Sequence, residues 1–370
     1  MQVFSIEGRQ WSASAPLVIA EIGTGHGGSL GKARELIAAA AESGADCAKF
    51  QCVFAQEIIH PRTGMVPLPG GDTSLFEVFR SLERPEEFYA QLRQACIDMG
   101  LLFLCTPFGE RSALLLRRIG ATAMKVASPE LNHLPLLELL GSFRLPTIVS
   151  SGVSTLADIE GALALLGGCD RALLHCVTAY PAPPEDYNLE LLTSYATLFG
   201  VPVGVSDHSM DPRLVPALAV ARGASIIEKH ICLSRDDPGL DDPIALDPGD
   251  FATMKRAIDE AARDPRACIE ALVTEYGRRR IDAILGTGRK VLAPSEAANY
   301  GRTNRSVHAL SAIGPGEVLT VGNTALLRTE KVLRPGLEPS AWKALLGRRA
   351  QRAIPEGEGI NWDDVGSLAT

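Results

Sequence analysis

Two short apolar runs of the sequence each end in a histidine: Val203-Gly204-Val205-Ser206-Asp207-His208 and Ser225-Ile226-Ile227-Glu228-Lys229-His230. Continuous apolar runs of this length are typical of buried parallel strands. One helix-length segment separates the runs, which predicts adjacent strands of one sheet with both imidazoles at the same end. Neighbouring strands lie about 4.8 Å apart, close enough for two imidazoles to bind one divalent metal. The pair therefore predicts a metal site at the mouth of an α/β barrel.

The same alternation of strand-like and helix-like segments runs through the first three quarters of the chain. Amphipathic patterns such as 30–43 and 111–119 follow most of the strand candidates, which are residues 17–23, 47–51, 101–107, 123–128, 146–152, 171–177, 201–207 and 224–230. Repeats of this kind over roughly 250 residues predict a (β/α)8 TIM barrel. A doubly wound open sheet is the alternative, but the glycine-rich stretch 21–28 lacks the GxGxxG spacing that commonly follows its first strand.

The pattern changes near the C-terminus. We predict a catalytic barrel over residues 1–282, a linker over 283–304 and a compact β-rich domain over 305–370. In the last segment the short β candidates are 306–310, 318–321, 332–334 and 352–354, with a helix candidate at 339–346. A domain of that size is marginally stable alone, so we expect it to dock on another part of the protein.

Composition excludes several classes of protein. The 370 residues are 46% hydrophobic and 22% charged, which is ordinary for a globular enzyme. The net charge of −8 argues against bulk binding of nucleic acid or anionic membranes. No apolar stretch approaches the roughly 20 residues of a membrane span, and the first residues lack a signal-peptide pattern. The 8 cysteines are scattered without CxxC pairs, so we expect a cytoplasmic protein.

Polar residues collect at the ends of the predicted strands, where barrel enzymes carry their chemistry. Two lysines and four hydroxyl groups would converge there: Lys49, Lys125, Thr106, Ser128, Ser150 and Ser206. Such a set suits the phosphate group of a small anion. The alternative is that each lysine only pairs with a neighbouring carboxylate, Lys49 with Glu21 or Lys125 with Glu130.

The two strand-end histidines also have a simpler interpretation, since a histidine at a strand end is often only hydrogen-bonded. Their position on adjacent strands, each beside a carboxylate, favours a shared metal. Two imidazoles without a thiolate suit Mn²⁺, Mg²⁺, Fe²⁺ or Zn²⁺, with positions left open for substrate. Cys105 and Cys176 also lie near strand ends, but buried cysteine is commonly a small apolar side chain.

Taken in order, these residues resemble the sialic acid synthase family, whose members condense phosphoenolpyruvate with an amino sugar. The matching segments are Ala20-Glu21-Ile22-Gly23, His26-Gly27-Gly28-Ser29, Ala48-Lys49-Phe50-Gln51, Thr106-Pro107-Phe108, Lys125-Val126-Ala127-Ser128-Pro129-Glu130, Ser150-Ser151-Gly152, Tyr180-Pro181, Gly204-Val205-Ser206-Asp207-His208 and Glu228-Lys229-His230. Two C-terminal segments, Arg305-Ser306 and Leu333-Arg334-Pro335-Gly336, resemble the family's antifreeze-like (SAF) domain. The resemblance therefore covers nearly the whole chain.

The resemblance implies a role for each position. His208 and His230 would hold Mn²⁺ or Mg²⁺, and the lysine and hydroxyl set would hold phosphoenolpyruvate. The implied catalytic residues are Glu130, Glu21, His208 and Lys125, with Glu130 as the acid/base whose pKa Lys125 and burial would tune. Groups that would bind the acceptor sugar are Glu21, Gln51, Thr178, Tyr180 and Asp241. Arg334 would reach from one subunit into the barrel mouth of its partner, which implies a domain-swapped homodimer.

The sequence departs from the family pattern mainly in the acceptor half. Gly25 and Thr178 stand where asparagines are usual, Ala127-Ser128-Pro129-Glu130 replaces a Gly-Ser-Gly-Glu form, and the stretch 325–332 is long. An amino sugar, a phosphorylated sugar and a plain aldose therefore all remain open as acceptors. The alternatives to a nonulosonic acid synthase are another phosphoenolpyruvate-condensing synthase, a pyruvate aldolase, or a catalytically retired sugar-binding barrel.

Overall fold

The computed structural model describes residues 2–68 and 71–368. Within them, a parallel 8-stranded sheet curves into a barrel with the hydrogen-bonded order β3-β2-β1-β8-β7-β6-β5-β4. Strands β3 and β4 stand at the two ends of this order and lie side by side, which closes the ring. The strands are β1 (Leu17–Gly23), β2 (Cys47–Cys52), β3 (Leu102–Pro107), β4 (Met124–Val126), β5 (Thr147–Ser150), β6 (Arg171–Cys176), β7 (Val203–Asp207) and β8 (Ile226–His230). The predicted barrel is confirmed, and the open doubly wound sheet is excluded.

Helices follow the strands and cover the outside of the barrel. They are α1 (Leu30–Glu42), α2 (Glu86–Asp98), α3 (Glu110–Arg118), α4 (Leu134–Phe143), α5 (Leu156–Leu165), α6 (Leu191–Phe199), α7 (Leu214–Ala221) and α8 (Pro248–Arg263). The first of them illustrates how sequence sets these elements. Ser29 caps α1 by accepting a hydrogen bond from the Lys32 N–H at 3.2 Å. The buried residues of α1 are spaced for one helix face: Ala33, Leu36, Ile37 and Ala40.

Further short helices lie in the loops. Ala55–Ile58 and Leu75–Ser81 lie between β2 and α2, next to a hairpin formed by Met65–Leu68 and Gly71–Ser74. Pro265–Tyr276 and Arg278–Leu285 follow α8. Among the described residues, no helix combines the length and apolar character needed to cross a bilayer.

The barrel interior is apolar at one end and polar at the other, and every second residue of a strand points into it. In β1, Leu17 and Ile19 lie in the apolar cluster and Glu21 lines the polar mouth. In β8, Ile226 lies in the same cluster, whereas Glu228 and His230 line the mouth. An N-terminal hairpin, Phe4–Ile6 with Arg9–Trp11, adds Phe4, Ile6 and Trp11 to the apolar cluster. The fold thereby places the polar residues at the carboxyl ends of the strands.

The C-terminal domain is built from two antiparallel strand pairs. Strand β9 (Arg305–Ala309) pairs with β10 (Thr324–Arg328), and β11 (Arg348–Ala350) pairs with β12 (Val365–Leu368). A 3-10 turn at Pro339–Ala341 and a short helix at Trp342–Leu345 lie where one helix was predicted. Its small core consists of Val307, Ala309, Ile313, Leu319, Leu326, Leu345, Ala350, Ile354, Ile360 and Val365.

Three of the predicted β segments of this domain are wrong. Residues 318–321, 332–334 and 352–354 form no strand; Val318 and Ile354 make only single bridges, to Arg349 and Ile313. These turn-rich pieces carry isolated apolar residues that fill the core without the alternation of a strand. The domain's β-rich character is nevertheless as predicted.

The segment predicted as a linker is not free of the barrel. Residues 283–285 still belong to the helix Arg278–Leu285, and a 3-10 turn at Ala297–Asn299 follows. Asn188 Oδ1, from the loop before α6, accepts hydrogen bonds from the N–H groups of Thr287 and Gly288 at 2.7 and 2.8 Å. The segment therefore packs on the barrel along part of its length.

Candidate functional site

A cavity of about 300 Å³ opens at the carboxyl ends of the barrel strands. It collects most of the side chains that the sequence predicted as site residues: Glu21, Lys49, Gln51, Thr106, Lys125, Ser128, Ser150, Thr178, Tyr180, Ser206, His208, His230 and Asp241. Two predicted residues, Glu130 and Arg334, do not line it. Most of the lining residues lie at the carboxyl end of a barrel strand or just beyond it, which is why they meet in one cavity.

Both lysines of the cavity are paired with carboxylates. Lys49 Nζ lies 2.7 Å from Glu21 Oε2 and 3.6 Å from Glu228 Oε1. Lys125 Nζ lies 3.5 Å from Glu228 Oε1 and 2.6 Å from Ser150 Oγ. Burial alone would lower the pKa of Lys49, but the two carboxylates raise it above its ordinary value. Burial lowers the pKa of Lys125, and the nearby Glu228 carboxylate offsets only part of that lowering. The Lys49–Glu21 pair is thus found, whereas Lys125 pairs with Glu228 and not with Glu130.

Glu228 is a member of this site that sequence reasoning left out of its catalytic and binding set. Its Oε1 faces both lysines and accepts a hydrogen bond from Ser206 Oγ at 2.9 Å. Burial would raise the pKa of Glu228, yet the two ammonium groups lower it to about 2. The signal was present in the sequence, since Glu228 lies two residues before His230 and so shares its face of β8.

Several polar atoms of the cavity have no hydrogen-bond partner within the described part of the chain. They are Thr106 Oγ1, Thr178 Oγ1 and Glu228 Oε2, all buried. Buried polar groups are almost always bonded in folded proteins. These three atoms are therefore available to bond a molecule that enters the cavity.

The two histidines lie together at the mouth, with ring centroids 5.7 Å apart. His208 Nδ1 lies 2.8 Å from the carbonyl of Val177, to which it donates, so in the neutral ring the free lone pair is on Nε2. His230 Nδ1 lies 3.7 Å from Asp241 Oδ2, and burial lowers the pKa of His230. The ring of Tyr180 stacks on His208 at a centroid distance of 4.3 Å. Over residues 2–68 and 71–368, no third side chain completes a metal-binding group of three.

Glu130 lies outside the cavity lining, contrary to the position expected of an acid/base at the mouth. It is fully buried, with Oε2 2.6 Å from Arg305 Nε and Oε1 2.6 Å from Arg328 Nη2. Burial would raise the pKa of Glu130, but the two guanidinium groups lower it far below its ordinary value. The prediction that Lys125 tunes the pKa of Glu130 is therefore wrong, because the 3-10 turn Ser128–Glu130 directs this carboxylate to the C-terminal domain.

Arg334 does not reach the cavity of its own chain. Its Nη2 is 2.7 Å from Asp364 Oδ2 and 2.6 Å from the Gly359 carbonyl, both in the C-terminal domain. Contact with a partner subunit stays a prediction. The C-terminal domain does contribute an arginine to the cavity lining: this is Arg328, the last residue of β10. It lies in the long stretch 325–332 that was noted as unusual, but no spacing in the sequence marked it.

Comparison with known proteins places these observations in a family context. The NeuB family model matches residues 36–265, and the SAF domain model matches residues 304–366. Spore coat polysaccharide biosynthesis protein SpsE of Bacillus subtilis is 35% identical over 99% of this chain and 98% of that protein. Its crystal structure superposes with a TM-score of 0.82 at 34% identity, covering 99% of this chain and 100% of that one.

Two further relatives are named for the acids that they make. N,N'-diacetyllegionaminic acid synthase of Campylobacter jejuni is 32% identical over 92% of this chain and 98% of that protein. Human N-acetylneuraminate-9-phosphate synthase is 29% identical over 93% of this chain and 90% of that protein. Both cover the barrel and the C-terminal domain together.

Proposed function

This chain belongs to the NeuB family of nonulosonic acid synthases, and we propose that it is a transferase that condenses phosphoenolpyruvate with an aldose or amino sugar. N-acetylmannosamine or a related sugar is the proposed acceptor, and the products are a nonulosonic acid and phosphate. The observation that carries this proposal is the cavity at the strand ends. It joins two buried lysines and several hydroxyl groups to a pair of imidazoles.

The lysine side of the cavity suits phosphoenolpyruvate. Lys49 and Lys125 supply two ammonium groups, and Thr106, Ser128, Ser150 and Ser206 supply hydroxyl donors for phosphate and carboxylate oxygens. In the free protein Glu21 and Glu228 hold the ammonium groups in place. Burial would raise the pKa of Glu228, but the two ammonium groups lower it, so we assign Glu228 the role of charge partner to the lysines and not of proton donor.

The proposed reaction forms one C–C bond and one C–O bond from water, and it breaks the C–O bond between C2 and the phosphate. C3 of phosphoenolpyruvate attacks the aldehyde carbon of the open-chain sugar, and the aldehyde oxygen takes up a proton. Water adds to C2 and loses a proton, and the tetrahedral intermediate then expels phosphate as its C2 hydroxyl loses a proton to become the ketone. Glu130 lies outside the cavity lining and is bound by Arg305 and Arg328, so Glu21, which lines the mouth beside Lys49, is our proposed acid/base.

The residues at the mouth fit a divalent cation such as Mn²⁺ or Mg²⁺. His208 and His230 would hold it, since the Nδ1 contact of His208 leaves its Nε2 lone pair free. Lys49, Lys125 and Arg328 face three carboxylates here, Glu21, Glu228 and Asp241, so these side chains supply no excess of positive charge for a phosphorylated substrate. A cation bound there would polarise the carbonyl oxygen of the acceptor. Gln51, Thr178, Tyr180 and Asp241 then remain to bind acceptor hydroxyl and amide groups.

The experiment that tests the proposal measures phosphate release from phosphoenolpyruvate with Mn²⁺. The panel of acceptors contains hexoses, hexosamines, their N-acetyl forms and their 6-phosphates. Sugar-dependent release supports the condensation and identifies the acceptor class. Pyruvate formation from a ketoacid without phosphate release would indicate the aldolase, and no turnover with any aldehyde would contradict the enzyme assignment.

Replacing Lys125 with methionine should raise the KM for phosphoenolpyruvate by about 10- to 100-fold. A charge-assisted hydrogen bond contributes about 1.5–3 kcal/mol, and its loss here also leaves Glu228 with one cation instead of two. Initial rates at fixed acceptor give the effect. Lys255→Met is the matched control, because Lys255 lies on α8 and pairs with Asp259. Equal KM values in the two variants would contradict the assignment of Lys125.

A domain-swapped homodimer is part of the proposal, and subunit mixing tests it. If Arg334 acts in the partner's cavity, mixing Arg334→Ala with Lys125→Met subunits should restore about a quarter of wild-type activity. Arg328 lies at the cavity of its own chain, so mixing Arg328→Ala with Lys125→Met subunits should restore none. If activity returned in the mixture with Arg328→Ala subunits and not in the mixture with Arg334→Ala subunits, both assignments would be reversed.

A further inference from the structure

The segment between the barrel and the C-terminal domain bridges two loops of the barrel mouth. Glu296 of this segment is 1% exposed. Its Oε2 accepts hydrogen bonds from the N–H groups of Val153 and Thr178, each at 2.9 Å. Val153 follows β5 and Thr178 follows β6, so one carboxylate oxygen joins the loops of two adjacent strands.

The carbonyl groups of the same two residues are bound by the same segment. Asn304 Nδ2 donates to the Val153 carbonyl at 3.0 Å, and Asn299 Nδ2 donates to the Thr178 carbonyl at 3.3 Å. Val153 also has a φ of 43°, which β-branched residues rarely adopt. A conformation of this kind persists where surrounding contacts hold it in place. These contacts include Glu296 and Asn304.

The two bridged loops form one wall of the cavity. Thr178 lines the cavity, and the neighbouring Gly152 N–H donates to Ser128 Oγ, another lining residue, at 3.0 Å. The loops are in close contact, since a Cβ added at Gly152 would lie 2.1 Å from Thr178 Oγ1. A change in the position of either loop would therefore move hydroxyl groups of the cavity.

We propose that Glu296 is a positioning residue for the cavity. It fixes the loops after β5 and β6 relative to each other, so that Thr178 and Ser128 keep their places on the cavity wall. The segment 283–304 then serves as part of the site and not only as a connection. Lys290 supports this arrangement, with Nζ 3.9 Å from Glu296 Oε1 and 3.5 Å from the Ser151 carbonyl.

The test compares Glu296→Ala with Glu296→Gln in the full-length protein. The glutamine carbonyl oxygen can accept both backbone N–H groups that Oε2 now accepts, whereas alanine leaves both without that partner. Hydrogen exchange should rise in Glu296→Ala for the amides of residues 150–155 and 176–180, with the other barrel strands unchanged. In Glu296→Gln the amide NH2 faces Lys290 and the Ala293 N–H, but both loop N–H groups keep their acceptor, so exchange rates should lie much closer to wild type than those of Glu296→Ala. Glu160→Ala, an exposed glutamate on α5, is the matched control and should change neither segment.

A kinetic measurement accompanies the exchange experiment and rests on the proposed condensation. Glu296→Ala should lower kcat/KM for the acceptor by about 10- to 100-fold, the range for a displacement of about 1 Å in a site, and Glu296→Gln should recover most of it. Wild-type exchange in Glu296→Ala would overturn the positioning role. So would faster exchange over the whole barrel, which would assign Glu296 to global stability. If the wild-type enzyme turns over no sugar, the condensation fails and the exchange measurement still decides the role of Glu296.

Discussion

Replacing Glu130 with alanine is expected to lower the free energy of unfolding by about 3–5 kcal/mol, the range for removing one partner of a buried ion pair. The carboxylate is fully buried, and both guanidinium groups that it binds, on Arg305 and Arg328, belong to the C-terminal domain. Its loss leaves two cations without their counterion inside an interface. We therefore expect the C-terminal domain to undock before the barrel unfolds.

Chemical denaturation followed by circular dichroism measures this effect. Glu138 provides the matched control, because it also joins the barrel to the C-terminal domain through Lys343 Nζ at 3.2 Å. That pair is exposed, so Glu138→Ala should cost about 1 kcal/mol or less. A loss in Glu130→Ala no larger than in Glu138→Ala would contradict the structural role of Glu130.

The same ion cluster predicts how stability depends on pH. The pKa of Glu130 is lowered in the folded protein, so the folded state holds this carboxylate ionised where the unfolded chain has begun to bind a proton. Its contribution to stability is full above the unfolded pKa of about 4.3 and declines as pH falls below it. The difference in unfolding free energy between wild type and Glu130→Gln should therefore be constant from pH 6 to 8 and shrink below about pH 4.3. A difference that grows on acidification would contradict the pairing.

The barrel and the contents of its mouth were predictable because both follow from local pattern. In β8, the order Ile226, Glu228, His230 already gives an inward face that changes from apolar to polar. The partners of Glu130 were not predictable, because Arg305 and Arg328 lie more than 170 residues further along the chain and meet it only when the two domains dock. Glu296 was missed for the same reason, since a glutamate in a polar segment carries no sign of burial.

The strand predictions in the C-terminal domain were wrong for a different physical reason. A small domain fills its core with single apolar residues from turns, such as Ile313 and Ile354, so short apolar pieces do not mark its strands. The true strand β10 instead lies in Thr324–Arg328, just before the segment whose resemblance drew attention to Arg334. The resemblance identified the family and predicted Arg334 at the partner's cavity, but it did not mark Arg328, the arginine at this chain's own cavity.

Replacing His208 with asparagine should abolish Mn²⁺ binding and lower kcat by at least about 10³-fold, since a bound cation contributes several kcal/mol of charge stabilisation. Asparagine is the informative substitution because its side-chain N–H₂ can take the place of Nδ1–H, which lies 2.8 Å from the Val177 carbonyl. It removes Nε2, the proposed metal donor, and keeps the contact that orients the side chain. His230→Ala should give the same loss through the second donor.

Metal binding is measured directly, by titration calorimetry or the electron paramagnetic resonance signal of free Mn²⁺, so the result does not depend on finding the sugar. His175→Gln is the control: His175 Nε2 contacts the carbonyl of Tyr187 from the same barrel, and glutamine can keep a donor at that position. This variant should bind Mn²⁺ like the wild type. Undiminished Mn²⁺ affinity in His208→Asn would remove His208 from the metal site and return it to the simpler role of a hydrogen-bonded histidine at a strand end. Because Tyr180 stacks on the same ring, such a result would leave His208 as part of the wall that receives the acceptor.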